Sequence, residues 1–327
     1  MGGKRATTAE VRDYYENHQE IRRARTVREA YTATGLKSYY NPALLKNGVR
    51  ESCDSTGCSK SRAIVIAFDG TGSEGNVPFY FKKEAIPKVV NMLETVDLGY
   101  DPQIAVYAVG DGLTDKVPIQ VGQFEADTRI ISTLEDLYIE GNGGGNGGES
   151  YQLVWWVLGK HTKIDCWDLR NTPGICITFG DDKPHPRTFK REFEKVFGNS
   201  DGLEEESIDT KSVRDMASGK WLLFHVLHRD MEDWHKKQYY NGYASDNVPE
   251  TWNNLLGNHV AIMDEVKYMA EIVVTMLRIQ AGIDLFDALQ MLDDSEDPHV
   301  RPAVRKALKD FEPYAVDDGT GGSVPII

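Results

Sequence analysis

The chain has 327 residues, of which 40% are hydrophobic and 10% aromatic, enough to build an extensive core and to exclude a largely disordered protein. A formal net charge of −14 argues against a general nucleic-acid-binding surface, although residues 1–62 hold 12 Lys and Arg against 7 Asp and Glu. No apolar run is long enough for a membrane span and no secretory signal opens the sequence. We therefore expect a cytoplasmic protein that binds neither nucleic acid nor membrane.

The amino-terminal part is predicted to be a charged extension. Residues 8–31 favour a helix, with Thr7 or Thr8 as the cap and Glu10 in the first turn. Scattered Gly, Asn, Pro and Ser in residues 34–61 are typical of a linker, or of a strap that lies over the next domain. The expected organisation is a charged helical arm and linker at 1–60, a folded domain at 61–282, and a helical appendage with a flexible tail at 283–327.

Within residues 61–282, apolar runs of strand length alternate with helical stretches. Several runs are apolar throughout, which suits strands buried on both faces of a sheet. The predicted strands are 63–68, 104–109, 118–124, 175–179, 221–227 and 259–263. The predicted helices are 77–96 (kinked or restarted at Pro87), 127–139, 150–161, 187–197 and 266–280, with 285–292 and 300–311 in the appendage. This alternation predicts an α/β fold, a doubly wound and mostly parallel sheet flanked by helices, with helical extensions at both ends.

A polar loop follows the first predicted strand, with the sequence Asp69-Gly-Thr-Gly-Ser73. Asp69, Thr71 and Ser73 place three oxygen donors on one tight turn, and hard cations such as Mg²⁺ prefer oxygen ligands. Ligands of doubly wound sheets bind beyond the carboxyl ends of the strands, where this loop lies. The alternative is a common turn in which Asp69 caps the next helix.

This loop resembles the Asp-x-Ser-x-Ser signature of von Willebrand factor A domains, whose metal-ion-dependent adhesion site binds Mg²⁺ or Mn²⁺. Thr71 stands where the family usually has Ser. The resemblance implies a second metal loop in the glycine tract 141–148, where Asn146 falls at the donor position although an amide is a weaker ligand than a carboxylate. It implies a third ligand after the strand at 175–179, for which Asp181 is the choice and Asp182 the fallback. An equally supported alternative for this region is structural, with Ser150 capping the helix that follows the glycine tract.

The resemblance covers about 220 of the 327 residues and extends to bacterial and phage proteins with similar Asp-Gly-Thr-Gly-Ser, Val-Gly-Gln-Phe-Glu and Glu-Ser-Tyr stretches. It implies a metal-dependent protein-binding module. In this mode, a Mg²⁺ or Mn²⁺ held by Asp69, Thr71, Ser73, Asn146 and Asp181 accepts a carboxylate from an exposed Asp or Glu of a partner protein.

Two other functions remain open at this stage. One is a metal-dependent, phosphatase-like hydrolase that uses Asp69, Asp181 and His185, although Ala67 occupies the position of the nucleophilic Asp of haloacid dehalogenase-type phosphatases. The other is a structural or assembly protein with a vestigial metal site. Outside the loops, His185 is expected at the surface and Asp111 in a structural turn. We expect core packing for Trp155, Trp156 and Cys176.

Overall fold

The computed structural model describes residues 4–71, 74, 76–94, 96–140, 147–229, 248–317 and 323–324. Its centre is a six-stranded sheet, with strands numbered here in chain order: β1 Ser61–Asp69, β2 Asp101–Val109, β3 Ile119–Val121, β4 Gly174–Gly180, β5 Trp221–His228 and β6 Val260–Met263. Across the sheet the order is β3-β2-β1-β4-β5-β6, in which β3 is antiparallel to β2 and the other neighbouring pairs are parallel. The predicted fold class, a mostly parallel α/β sheet flanked by helices, is confirmed.

The central strand β1 is buried along its whole length. Ile64, Ile66 and Phe68 belong to the hydrophobic cluster on one face of the sheet, whereas Ala63 and Val65 belong to the cluster on the other. Alternate side chains of a strand point to opposite faces, so a strand covered on both sides needs apolar residues at every position. This explains why the run is apolar without alternation.

Helices cover both faces. The first cluster includes helical residues from Val77–Tyr80, the π-helical turn Phe81–Ala85, Ile86–Glu94, Arg129–Ser132 and Met269–Gln280, together with residues from the helices of both terminal extensions. The second takes them from Tyr151–Lys160, Asp165–Asp168, Lys190–Phe197, Thr210–Ser218 and Val248–Leu256. The irregularity expected at Pro87 takes the form of the π-helical turn that ends just before it. Trp155, Trp156 and Cys176 are buried in the second cluster, as predicted.

Some predicted boundaries were wrong. The helix expected at 127–139 extends only over Arg129–Ser132, and the strand expected at 118–124 is the three-residue β3. The physical reason is a side-chain clamp: Gln120 accepts a hydrogen bond from the backbone N–H of Tyr138 (2.9 Å) and donates one to its carbonyl (2.7 Å). These bonds hold the chain beside β3 in place of a continuing helix. The helix expected from 187 begins at Lys190, after a short strand Arg187–Phe189 that pairs with Ser207–Asp209.

The amino-terminal arm is a strap on the domain. In place of one helix it forms three short ones, Thr8–Asn17, Gln19–Arg23 and Val27–Ala30, then three 3-10 turns, Ser38–Tyr40, Pro42–Leu44 and Lys46–Gly48. The Tyr31 hydroxyl donates a hydrogen bond to the carbonyl of Pro78 (2.8 Å), and Lys82 donates one to the carbonyl of Ala30. A strand at Arg50–Ser52 then pairs with Thr162–Ile164. The first hydrophobic cluster also includes Val11, Ala30 and Tyr31, so the arm contributes to the core.

The carboxyl-terminal appendage is helical where it was expected to be. A 3-10 turn at Val266–Tyr268 leads into the helix Met269–Gln280, and Leu285–Gln290 and Val300–Ala307 pack against that helix. Two short strands, Val316–Asp317 and Ser323–Val324, pair with each other. The tail predicted to be flexible falls largely outside the described residues. Among the helices described, none is both long and apolar enough to span a bilayer.

Candidate metal site

Asp69 is the last residue of β1, the strand at which the order of strands across the sheet reverses. Strand β1 pairs with β2 on one side and with β4 on the other. The chain passes from β1 to β2 on the first side and from β4 to β5 on the second, so the connections that leave β1 and β4 run in opposite directions. A crevice forms at such a switch point, beyond the carboxyl ends of the strands. The Asp69 side chain is 1% exposed; its Oδ1 accepts a hydrogen bond from the N–H of Thr71 (2.7 Å) and its Oδ2 one from the hydroxyl of Tyr151 (3.3 Å).

Three carboxylates meet at this crevice. One oxygen from each of Asp69, Glu74 and Asp181 lies within 4.8 Å of the other two. Glu74 belongs to the same loop as Asp69, and its N–H donates to the carbonyl of Thr71 (3.3 Å). Asp181 directly follows β4, the neighbour of β1. The structure thus brings two of the sequence-predicted residues together and adds a third carboxylate.

The cluster carries an excess of negative charge in a buried place. Burial, followed by the carboxylates of Glu74 and Asp181, holds the pKa of Asp69 well above its usual range, while hydrogen bonds from Thr71 act in the opposite direction. Ionised groups with like-charged neighbours and little water are destabilised. A cation among these carboxylates would offset that repulsion.

Glu149, beside the glycine tract, gives a separate indication. Its Oε2 is buried and has no hydrogen-bond partner among the described residues. Burial raises the pKa of Glu149 to about 10, with further contributions from the carboxylates of Asp69, Asp111 and Asp115. Buried polar atoms without a partner are rare in native proteins and often indicate an unseen water or ion.

The donor chemistry fits a hard divalent cation. Carboxylate oxygens are the ligands that Mg²⁺ and Mn²⁺ prefer, and oxygens on opposite sides of a bound Mg²⁺ lie about 4 Å apart. Oxygens on adjacent corners of the octahedron lie about 3 Å apart, so the oxygens of the cluster, all within 4.8 Å of one another, need to draw together to reach a common ion. Asp69, Glu74 and Asp181 are the described residues suited to hold it.

The other predicted ligands have different outcomes. Thr71 is buried in the loop, with its N–H bonded to Asp69. Ser73 and Asn146 lie outside the described residues. Asp182, the fallback for Asp181, is not in the three-carboxylate group; it accepts hydrogen bonds from the N–H groups of Gly148 (2.9 Å) and Lys183 (2.7 Å).

Sequence reasoning missed Glu74. The signature ends at Ser73, and the next residue is this glutamate. A carboxylate that directly follows an oxygen-rich loop is a usable signal, because the same turn that gathers the loop donors holds it nearby. Only the folded loop shows that its side chain turns toward Asp69 and Asp181.

For the neighbouring loops, one prediction was wrong and one alternative that the sequence left open is not the one observed. His185 was expected at the surface, but it is 7% exposed and its Nε2 lies 3.0 Å from Oδ1 of Asp111. Ser150 begins the helix Tyr151–Lys160 without capping it, since its hydroxyl oxygen accepts a hydrogen bond from the N–H of Gly112 (2.8 Å). Both side chains bond to the loop after β2 and so join that loop to the start of the helix Tyr151–Lys160 and to the loop after β4. As predicted, Asp111 forms a turn, accepting from the N–H of Leu113 (2.8 Å).

The arrangement bears on the hydrolase alternative. That mechanism needs His185 beside Asp69 and Asp181, yet the group of possible metal ligands in the described part of the chain does not include His185. Its imidazole is directed to Asp111.

No family model and no curated protein matches this sequence. Among solved structures, the chain is similar to a von Willebrand factor type A protein from Catenulispora acidiphila, with 16% sequence identity and a TM-score of 0.36. The match covers 68% of this chain and 42% of that protein, so the chain spans less than half the length of its structural neighbour. The fold class is established by the strand order and pairing.

Proposed function

We propose that this protein is a divalent-cation-dependent protein-binding module of the von Willebrand factor A type. The observation that carries the proposal is the meeting of the Asp69, Glu74 and Asp181 carboxylates within 4.8 Å at the switch point of the sheet. Buried like charges destabilise a folded protein unless a counter-charge accompanies them, so their convergence favours a binding role over a purely structural one.

In this proposal the cation is Mg²⁺ or Mn²⁺, held by Asp69 and Asp181 with the hydroxyls of Thr71 and Ser73 and with Asn146. When bound, the ion supplies an electrophilic position that accepts a carboxylate oxygen from an exposed Asp or Glu of a partner protein. Asp69 orients the loop through its bond with the Thr71 N–H, and Tyr151 fixes the other carboxylate oxygen of Asp69. The resemblance in the Asp69–Ser73 loop and the crevice location support this assignment.

Calorimetric titration with Mn²⁺ and with Mg²⁺ tests the cation part. We expect binding to the wild type and at least a tenfold loss in Asp69→Asn and in Asp181→Asn. Asp182→Asn is the matched control, because it removes the adjacent carboxylate that lies outside the three-carboxylate group and keeps an oxygen for the Gly148 N–H. Equal binding by wild type and Asp69→Asn would reject the site.

The partner part is tested by affinity capture with wild type and Asp69→Asn, each with and without EDTA. We expect a partner retained by wild type in Mg²⁺, released by EDTA and absent with Asp69→Asn. Capture that is insensitive to both EDTA and the substitution would place partner binding elsewhere on the molecule.

A further inference from the structure

The carboxylate of Glu74 borders two different groups. It belongs to the three-carboxylate group with Asp69 and Asp181, and its Oε2 also lies 3.0 Å from Nδ1 of His228, the last residue of β5. Glu74 is 4% exposed and the His228 side chain 12% exposed, so the contact lies inside the protein. The Glu74 side chain thus reaches both the candidate cation position and the imidazole of His228 on β5, the strand separated from β1 by β4.

We propose that Glu74 is an internal ligand of the cation and competes there with the carboxylate of the partner, while His228 holds Glu74 when it leaves the ion. The inference rests on the proposed function, because it requires a cation at Asp69 and Asp181. It adds a regulatory element to that site: the chain supplies its own acidic ligand.

Charge accounts for the competition. Asp69, Glu74 and Asp181 carry three negative charges against the two positive charges of the ion, so the complete set has a net charge of −1 and repels a fourth carboxylate. Without Glu74 the set is neutral, and an external carboxylate restores the third acidic ligand. A tethered group acts at a high effective concentration, so an isolated carboxylate displaces Glu74 poorly and an effective partner needs further contacts.

The loop geometry suits this exchange. The N–H of Glu74 donates to the carbonyl of Thr71 (3.3 Å), which fixes its backbone beside Thr71. The side chain has three rotatable bonds between that anchor and the carboxylate, enough to shift between the ion and His228 without moving the strand ends. The buried Oε2 of Glu149, which has no partner among the described residues, is a separate observation that fits an unseen ion or water near these strand ends.

The test uses the full chain, Mn²⁺ as the metal probe and acetate as the external carboxylate. Free Mn²⁺ is measured by electron paramagnetic resonance, and water on the bound ion by solvent proton relaxation. In Glu74→Gln we expect about tenfold weaker Mn²⁺ binding and a higher relaxation enhancement per bound ion, because water replaces the lost ligand. Acetate should then lower that enhancement in Glu74→Gln, at concentrations that leave the wild type unchanged.

Two further variants separate ligation from charge and from folding. Glu84→Gln removes an exposed carboxylate from the helical segment that follows the loop and should behave as wild type. Glu74→Asp keeps the charge but shortens the side chain by one methylene, and it should resemble Glu74→Gln in its water count. Circular dichroism and thermal unfolding confirm that each variant is folded.

The outcomes distinguish this inference from the proposed function. If Asp69→Asn abolishes Mn²⁺ binding while Glu74→Gln keeps wild-type affinity and water count, the cation site stands and Glu74 is merely a partner of His228. If Glu74→Asp keeps wild-type values while Glu74→Gln does not, Glu74 acts through its charge alone and the ligand assignment is wrong. If the wild type does not bind Mn²⁺, both proposals fail.

Discussion

The hydroxyl of Tyr151 lies 3.3 Å from Oδ2 of Asp69 and joins the first residue of the helix Tyr151–Lys160 to the last residue of β1. Tyr151 is completely buried and packs edge-on against both His225 and Trp252. The helix after the glycine tract therefore positions the first carboxylate of the candidate site. A change that displaces this ring should affect both the fold and the loop.

Gly180, the last residue of β4, leaves the space that Tyr151 fills. A Cβ at this position would overlap the Tyr151 hydroxyl, so Gly180→Ala forces the ring away from Asp69. We expect a loss of about 1–3 kcal/mol in the free energy of unfolding, the usual result of overpacking a core, together with weaker Mn²⁺ binding. Urea denaturation measures the first effect and calorimetry the second. Gly35→Ala is the control, because nothing lies within 4 Å of a Cβ there; equal stability of the two variants would contradict this account.

His225 makes stability depend on pH. Burial lowers the pKa of His225 well below its ordinary value of 6.5; the ring stacks on Trp252 with centroids 3.5 Å apart, and Nδ1 lies 2.8 Å from the hydroxyl of Thr178. Below pH 6.5 the His225 side chain takes up a proton in the unfolded chain but not in the folded one. Its contribution to the free energy of unfolding is therefore fully present above this pH and is lost as the pH decreases. Between pH 7.5 and 5.5 the loss from this residue should be about 1.4 kcal/mol.

Denaturation of wild type and His225→Phe at both pH values isolates this contribution. The variant loses stability at neutral pH but should show a smaller decrease on acidification than the wild type. Exposed His299→Gln controls for the loss of one imidazole and should keep the wild-type pH dependence. If His225→Phe keeps the wild-type pH dependence of stability, folding does not lower the pKa of His225, and the prediction is wrong.

The convergence of Asp69 and Asp181 was predictable because it follows from topology. Both residues end apolar runs that lack alternation, such runs form buried parallel strands, and the carboxyl ends of neighbouring parallel strands share one edge of the sheet. Neither conclusion requires side-chain coordinates. The outline of the fold and the shared edge of the two residues could therefore be inferred from sequence pattern, whereas the choice of Asp181 as a ligand came from the resemblance to von Willebrand factor A domains.

The features that were missed depend on contacts between distant residues. His185 is buried because it meets Asp111, 74 positions earlier, and no local pattern encodes that meeting. The helix predicted after residue 127 ends early because Gln120 binds the backbone of Tyr138. The direction of the Glu74 side chain depends on the path of a loop that no hydrophobic periodicity describes.

Lys82 links the arm to the domain and gives a second pH-dependent prediction. It is 2% exposed, and burial lowers its pKa from 10.5 to about 8. Between these values the folded state holds fewer protons than the unfolded state, so the stability contributed at Lys82 rises with pH. Relative to Lys82→Met, the wild type should gain roughly 1 kcal/mol between pH 7 and pH 9 in urea denaturation. Exposed Lys309→Met should show no such gain, and a pH-independent difference for Lys82→Met would refute the prediction.

Tyr31 tests whether the arm is part of the folded core. The ring is 5% exposed, and its hydroxyl donates to the carbonyl of Pro78 (2.8 Å). Tyr31→Ala should reduce the free energy of unfolding by about 3–5 kcal/mol, as expected for a buried aromatic ring, and Tyr31→Phe by about 1 kcal/mol through the lost hydrogen bond. If Tyr31→Ala unfolds in the same transition as the wild type with little loss, the arm is a separate unit. Deletions of the arm would then report on partner binding alone.

Asp69→Asn should have opposite effects on stability without and with metal. In the metal-free protein the Asp69 carboxylate is buried beside Glu74 and Asp181, which raises its pKa, so an uncharged side chain of the same shape relieves repulsion. We expect the metal-free variant to be more stable than the wild type. At a Mn²⁺ concentration of 100 times the dissociation constant, the wild type gains about 2.7 kcal/mol and should become the more stable protein. Thermal denaturation in EDTA and in excess Mn²⁺ measures both differences. If the variant is less stable than the wild type in EDTA, the fold itself needs the Asp69 carboxylate, for instance through its hydrogen bond with Tyr151. The repulsion between the carboxylates would then not be the dominant effect on stability.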